Sequence, residues 1–211
     1  MKSEDIKVVT PPNLGWLVSK LNDIEMDYLW RCIKKKKTNV SDKLAGNIDS
    51  SYSLKDNNDW FYLNVLKPLL IKYKDNFMNM GSKVPTSMQH EYCMPFWWVN
   101  YQKQNEFNPL HDHRGVYSFV VWMKIPFNGE QQIRKKIASH SNFPSVSRFQ
   151  FQYQNILGNF VTHNYTPSEK DEGTILFFPS KLTHIVYPFM DCDEERISIS
   201  GNIVLDTSKI F

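Results

Sequence analysis

The octet Asn108-Pro109-Leu110-His111-Asp112-His113-Arg114-Gly115 runs directly into Val116-Tyr117-Ser118-Phe119-Val120-Val121-Trp122, and the reading of this junction decides the fold. The second part is β-branched and aromatic, the composition of a buried strand. The first is polar and carries Pro109 and Gly115, residues of turns and strand ends. On an extended chain the side chains at i and i+2 point to one face, so His111 and His113 stand side by side just before the strand.

Outward from this junction the β texture continues. Candidate strands are 88–102, 115–125, 146–155, 159–165, 173–178, 183–188 and 195–205, with Leu157-Gly158-Asn159 as a hairpin turn between two of them. Short strands with frequent turns imply a sandwich or barrel, and the jelly roll is one such form. Upstream the pattern is helical. Asn22 with Glu25 three residues later fits a capping box. Leu21, Ile24, Tyr28, Leu29, Cys32 and Ile33 make an apolar stripe, and Lys34 to Lys37 suit a solvated helix C-terminus. A second helix is predicted from about Asp59, with Phe61, Leu66, Leu69, Leu70, Tyr73 and Phe77 at helical spacing. Pro68 should kink or split it, and Gly81 should stop it. Residues 38–58, around Leu44-Ala45-Gly46-Asn47-Ile48, read as a loop that carries some packing residues. The expected organisation is one domain over residues 1–211, with a helical part at 1–87 and a β core at 88–211.

The bulk composition excludes several classes. The 211 residues are 41% apolar and 22% charged, the balance of an ordinary globular chain with its own core. A net charge of +3 is weak and argues against a nucleic-acid or membrane partner. Cys32, Cys93 and Cys192 are odd in number and widely spaced, which argues against a disulfide framework and a structural zinc site. No apolar run reaches the roughly 18 residues of a membrane span, and the N-terminus has no apolar core of a secretion signal. A cytoplasmic, reducing setting is the expectation.

Two further places carry chemistry. In Gly173-Thr174-Ile175-Leu176-Phe177-Phe178-Pro179-Ser180-Lys181-Leu182-Thr183-His184-Ile185-Val186, a buried strand ends at Pro179-Ser180 and His184 begins the next one. A polar ring among apolar neighbours needs a partner, and a metal would supply one. In Glu195-Arg196-Ile197-Ser198-Ile199, Arg196 and Ser198 share one strand face. A guanidinium forks onto a carboxylate, and a hydroxyl adds a third bond. Each feature alone has a plainer explanation: a lone strand histidine is usually a hydrogen-bonded core or surface residue, and Arg196 would pair with Asp193 or Glu194. The conjunction is what points to a mononuclear iron site, which needs a histidine pair, a third ligand from elsewhere and open positions.

The order HxH, then His, then RxS resembles the 2-oxoglutarate- and Fe(II)-dependent oxygenases. Within that group the chain resembles small hydroxylase-like members from tailed phages of marine cyanobacteria. It rests on Leu44 to Ile48, on His111 to Pro126 and on Phe178 to His184, and so spans nearly the whole chain. It implies a double-stranded β-helix (a jelly-roll, cupin-like fold) with helices at its N-terminal side. It implies Fe(II) held by His111, His184 and a third ligand. It also implies 2-oxoglutarate as co-substrate, its distal carboxylate on Arg196 with help from Ser198, and no catalytic residue beyond the ligands. Most of the superfamily has a carboxylate at the i+2 position, where this chain has His113. Either His113 ligates, as extended geometry favours, or the chain bends and Asp112 does. The implied activity is hydroxylation of a small molecule or a protein side chain, in the host cytoplasm if the origin is a phage. Two other classes are a three-histidine cupin-type metalloenzyme without 2-oxoglutarate, against which the RxS pair counts, and a non-catalytic β-sandwich binding module. Trp97, Trp98, Tyr101, Lys103, Trp122 and Lys124 flank the expected site, and the segment 127–147 interrupts the β pattern as a lid or a surface loop would.

Overall fold

The computed structural model describes residues 13–35 and 38–208. Ten strands form in chain order: β1 (Leu17–Lys20), β2 (Ser50–Ser53), β3 (Tyr92–Gln102), β4 (Asn108–His111), β5 (Tyr117–Lys124), β6 (Phe149–Gln154), β7 (Phe160–Tyr165), β8 (Thr174–Pro179), β9 (Thr183–Val186) and β10 (Arg196–Leu205). The major sheet has the order β1-β8-β5-β10-β3-β2 and the minor sheet the order β4-β9-β6-β7. All pairs are antiparallel. This is a double-stranded β-helix, the fold expected from the sequence.

Helix α1 (Asp23–Lys34) begins on a reciprocal capping box: Glu25 N–H donates to the Asn22 side chain at 3.0 Å, and Asn22 N–H to the Glu25 carboxylate at 2.8 Å. Its buried face is Tyr28, Leu29, Cys32 and Ile33. Ile24, counted in the stripe above, is instead 69% exposed. Lys34 and Lys35 close the helix, while Lys36 and Lys37 lie outside the described residues. The second helical region is split ahead of Pro68, as its missing N–H requires. Tyr62–Leu66 is wound as a π-helix, with Lys67 N–H bonded five residues back to Tyr62, and α2 (Lys67–Asn76) continues from there. Gly81 does not stop this helix. The helix closes at Phe77, and Gly81 sits in a separate short turn, where its N–H donates to the Tyr92 hydroxyl at 3.0 Å. The segment 38–58 is less of a loop than expected, because β2 within it adds an edge strand beside β3.

Strict alternation on the major sheet separates two interiors. Tyr117, Phe119 and Val121 of β5, Phe177 of β8, Trp97 and Val99 of β3 and Ile199 of β10 pack with Leu29, Phe61, Leu66 and Tyr73 of the helical layer. Val120, Trp122, Leu176 and Phe178 face the other way, onto Phe149 and Phe151 of the minor sheet and Phe189. Full burial of each large side chain contributes roughly 1.5–3 kcal/mol.

Gly201 shows how tightly the helical side is packed. Its cross-strand partners are Trp97 and Phe119, and a Cβ built on it would lie 2.7 Å from both. Gly201→Ala is therefore expected to cost about 1–3 kcal/mol by overpacking, read as a lowered urea midpoint with an unchanged slope. An unchanged midpoint would show that the sheet yields there.

Candidate metal centre

The pairing of β4 with β9 brings the first two histidines together. His111 and His184 are direct cross-strand partners, with ring centroids 4.3 Å apart. His113 lies just beyond β4, its N–H bonded to the Ser180 carbonyl at 2.8 Å. Gly115 follows at φ +121°, a conformation side chains disfavour, with the Ile203 carbonyl 3.0 Å from where a Cβ would sit. This turn folds the histidine pair back over the sheet. One ring nitrogen from each of His111, His113 and His184 falls within 4.8 Å of the other two. Asp112 is not part of this cluster and pairs with Lys181 at 3.2 Å.

The outer nitrogen of each ring is occupied. His111 Nδ1 meets the Pro109 carbonyl at 2.7 Å, His184 Nδ1 the Leu182 carbonyl at 3.0 Å, and His113 Nδ1 the Asn202 Oδ1 at 2.8 Å. Each partner is an acceptor, so each Nδ1 carries the proton and each Nε2 presents a lone pair. Asn202 Oδ1 also accepts from Ser118 Oγ at 2.8 Å. The Nε2 atoms of His111 and His113 lie 3.2 Å apart, two lone pairs facing one another. A cation between them removes that conflict, and outer acceptors of this kind are what hold ligand imidazoles in register. The donor set thus fits a nitrogen-ligated transition metal. Burial lowers the proton affinity of all three rings, with the neighbouring histidines adding to the effect at His113 and His184. His111 is lowered, His113 falls to about 4, and His184 lies well below the ordinary 6.5.

Arg196 lies on the same cavity, of about 530 Å³, between the two sheets. It is buried and has no carboxylate partner among the described residues. Nε and Nη2 both donate to Gln102 Oε1, the former at 3.0 Å, and Nη1 donates to the Ser147 carbonyl at 3.2 Å. The rings of Phe127 and Phe189 lie 5.9 Å from its Cζ. Ser147 presents its carbonyl from a left-handed conformation (φ 64°), a strained state held by its surroundings. Burial lowers the Arg196 pKa to about 9, which still leaves it charged at neutral pH. The ordinary ion pair with Asp193 or Glu194 does not form, because Asp193 accepts from Gln104 and Glu194 holds Lys124. Ser198 lines the same cavity.

Strand parity sorts the flanking candidates. Trp98 and Trp122 line the cavity, while Trp97 and Tyr101 face the helical core. Lys124 turns outward to Glu194 at 2.6 Å, and Lys103 is exposed. No residue of 127–147 lines the cavity, so that segment frames Arg196 rather than covering the opening. The cover comes from Lys43 to Ile48, pinned by Asn47 N–H on the Phe107 carbonyl at 2.8 Å. Asn202 and Gln102 were also missed by the sequence reading. Continuing the alternation from Arg196 and Ser198 through Ser200 to Asn202 would have found the first of them.

The comparisons agree with this geometry. The family described as "Putative 2OG-Fe(II) oxygenase" matches residues 96–202, and the chain belongs to it. Its metal and co-substrate are therefore Fe(II) and 2-oxoglutarate. Among solved structures, the chain is similar to a prolyl-4-hydroxylase of Pseudomonas putida (TM-score 0.53, 14% identity, covering 89% of this chain and 91% of that one). It is also similar to an oxidoreductase of the 2OG-Fe(II) oxygenase family from Burkholderia pseudomallei (TM-score 0.54, 14% identity, 90% and 85% covered). At these identities the likeness shows the fold alone. No curated protein sequence matches the chain at a significant level. No helix among the described residues is long and apolar enough to cross a membrane.

The lowered histidine pKa values set a pH dependence. The unfolded chain takes up protons near the ordinary 6.5, before the folded metal-free protein does. Stability from this source is present above that pH and is lost as pH falls toward about 4. Thermal melts of metal-free protein are expected to drop between pH 7 and pH 5, and His184→Gln should flatten the drop. Equal slopes in wild type and variant would place the acid sensitivity elsewhere.

Proposed function

We propose that the protein is a 2-oxoglutarate- and Fe(II)-dependent hydroxylase in which His111, His113 and His184 hold the iron and Arg196, with Ser198, holds the distal carboxylate of 2-oxoglutarate. One observation carries this reading: three imidazoles converge with bare nitrogens on a cavity that also holds a buried guanidinium without an acid. When bound, iron supplies the oxidative decarboxylation of 2-oxoglutarate by dioxygen, coupled to oxidation of a substrate C–H bond. The chain's own residues bind and orient. Gln102 and the Ser147 carbonyl fix the plane of the guanidinium, leaving its remaining N–H groups to fork onto a carboxylate. The two phenyl rings keep water from that end. Pro109, Leu182 and Asn202 fix the ring planes of the histidines. The substrate is a small molecule or a protein side chain, and the setting proposed is a reducing cytoplasm, that of an infected host if the phage likeness reflects origin.

Iron binding tests the ligand set. His111→Ala, His113→Ala and His184→Ala are each expected to abolish Fe(II) binding under anaerobic conditions, while Asp112→Ala should bind nearly as wild type. Asn202→Ala should weaken binding about 10- to 100-fold through loss of the outer acceptor. The reverse ranking of His113→Ala and Asp112→Ala would make Asp112 the ligand.

Co-substrate binding tests Arg196. Anaerobic addition of Fe(II) and 2-oxoglutarate should give the weak visible charge-transfer band of the chelate. Arg196→Leu leaves a carboxylate unpaired in a buried site, at a cost of about 3–5 kcal/mol, so affinity should fall by roughly two to three orders of magnitude. Ser198→Ala should cost about 1 kcal/mol. Undiminished 2-oxoglutarate affinity in Arg196→Leu would show that the distal carboxylate is held by another group and would remove Arg196 from the co-substrate site.

A further inference from the structure

The register of the major sheet divides the cavity into two sides. Ser198 of β10 is bonded across to Trp122 on one side and to Asn100 on the other, and Asn100 in turn to Ser51 of β2. If 2-oxoglutarate lies along β10 between the histidines and Arg196, the part of the cavity against β2 and β3 is left for the substrate. That part adjoins the metal centre, since the Trp98 ring lies 5.9 Å from His113. It carries a flat apolar wall, Phe96 stacked on Trp98 at 5.1 Å and 28°.

Donors stand among the polar groups left unused on this side. Asn100 is 5% exposed, and its Oδ1 is consumed by the Ser51 hydroxyl at 2.8 Å. Its amide N–H groups meet no acceptor among the described residues and face the cavity. At the rim stand Lys43 and Arg114, both exposed and both without an ion-pair or hydrogen-bond partner for their side chains among the described residues. Among the described residues the one acid lining the cavity is Asp112, and Lys181 pairs with it. An opening that offers a buried amide donor and two unpaired cations, with its acid already engaged, favours ligands rich in acceptors and negative charge.

We infer that the β2–β3 side of the cavity is the substrate subsite and that its substrate is an organic acid, with a flat or apolar body against Phe96 and Trp98 and its anionic end reached by Asn100, Lys43 and Arg114. This rests on the oxygenase reading, because that reading assigns the β10 side to the co-substrate.

A matched pair of ring probes tests it. Para-fluorobenzoate and para-fluorobenzylamine have the same ring and opposite charge. Each is titrated by fluorine NMR into the anaerobic Fe(II) and 2-oxoglutarate complex of the full chain, in which the β10 side is filled. The acid is expected to bind saturably, with its fluorine line broadened by the nearby paramagnetic iron, and the amine is not. The surface double variant Lys43→Glu/Arg114→Glu should lower the acid's affinity by about tenfold or more, the equivalent of 1.4 kcal/mol. Failure of the acid to bind, equal binding of the amine, or an unaffected double variant would each overturn the inference. The chelate band, recorded in the same samples, separates the two readings. If it does not form, the oxygenase reading itself fails; if it forms while the acid does not bind, only the substrate class falls.

Discussion

The alternation along β10 is the constraint on which the rest of the structure depends. This strand is paired on both sides, to β3 and to β5, so its register cannot shift without breaking two ladders. Ile197, Ile199, Gly201 and Ile203 face the helical layer, and Arg196, Ser198, Ser200 and Asn202 face the cavity. One residue of slip would turn the guanidinium to the helical side, toward Tyr101 and Met123, and turn the isoleucines toward the cavity. Apolar packing on one side of the strand therefore holds the polar side in place. Asn202 at one end and Arg196 at the other face the same cavity because the same strand carries both.

The three histidines are held with unequal security. His111 and His184 bond to backbone carbonyls two residues earlier, at Pro109 and Leu182, contacts that no side-chain substitution removes. His113 depends on a side chain from another strand. Its acceptor, Asn202 Oδ1, is oriented by the Ser118 hydroxyl, which bonds to the Ser180 hydroxyl at 2.8 Å, and the Ser180 carbonyl holds the His113 N–H. The loop closes on itself, so the ring, the amide and two hydroxyls form one network.

Much of this was legible in the sequence because it is written in short-range patterns. The seven β runs and the capping box at Asn22 depend on composition and spacing within a few residues, and the structure contains each of them. The i, i+2 geometry of His111 and His113 is of the same kind. Gly81 misled, because glycine marks both a helix stop and a close contact, and its contact with Tyr92 is made across the fold. Strands β1, β2 and β4 went unread since each is short, lacks the apolar β-branched run that marks β9, and takes its identity from a neighbour. Gln102 carries no local signal at all; its role exists only because the register sets it opposite Arg196. The covering segment at 43–48 was visible as packing residues, but nothing within it says which opening it covers.

Charge ties the cavity together. Neutral imidazoles contribute none, Arg196 contributes one positive charge, and the lining acid Asp112 is balanced by Lys181. With a divalent ion on the histidines, the inner cavity would hold about three positive charges and no protein anion to offset them, a state that low-dielectric surroundings strongly disfavour. A dianionic co-substrate answers most of that excess at both of its ends. With His113 as a ligand in place of a carboxylate, as proposed, the attraction for anions would rise by one full charge. If Arg196 holds the co-substrate as proposed, the charge that balances this buried guanidinium arrives with the ligand, and the affinity of the site for that ligand is the counterpart of the charge left unbalanced in its absence.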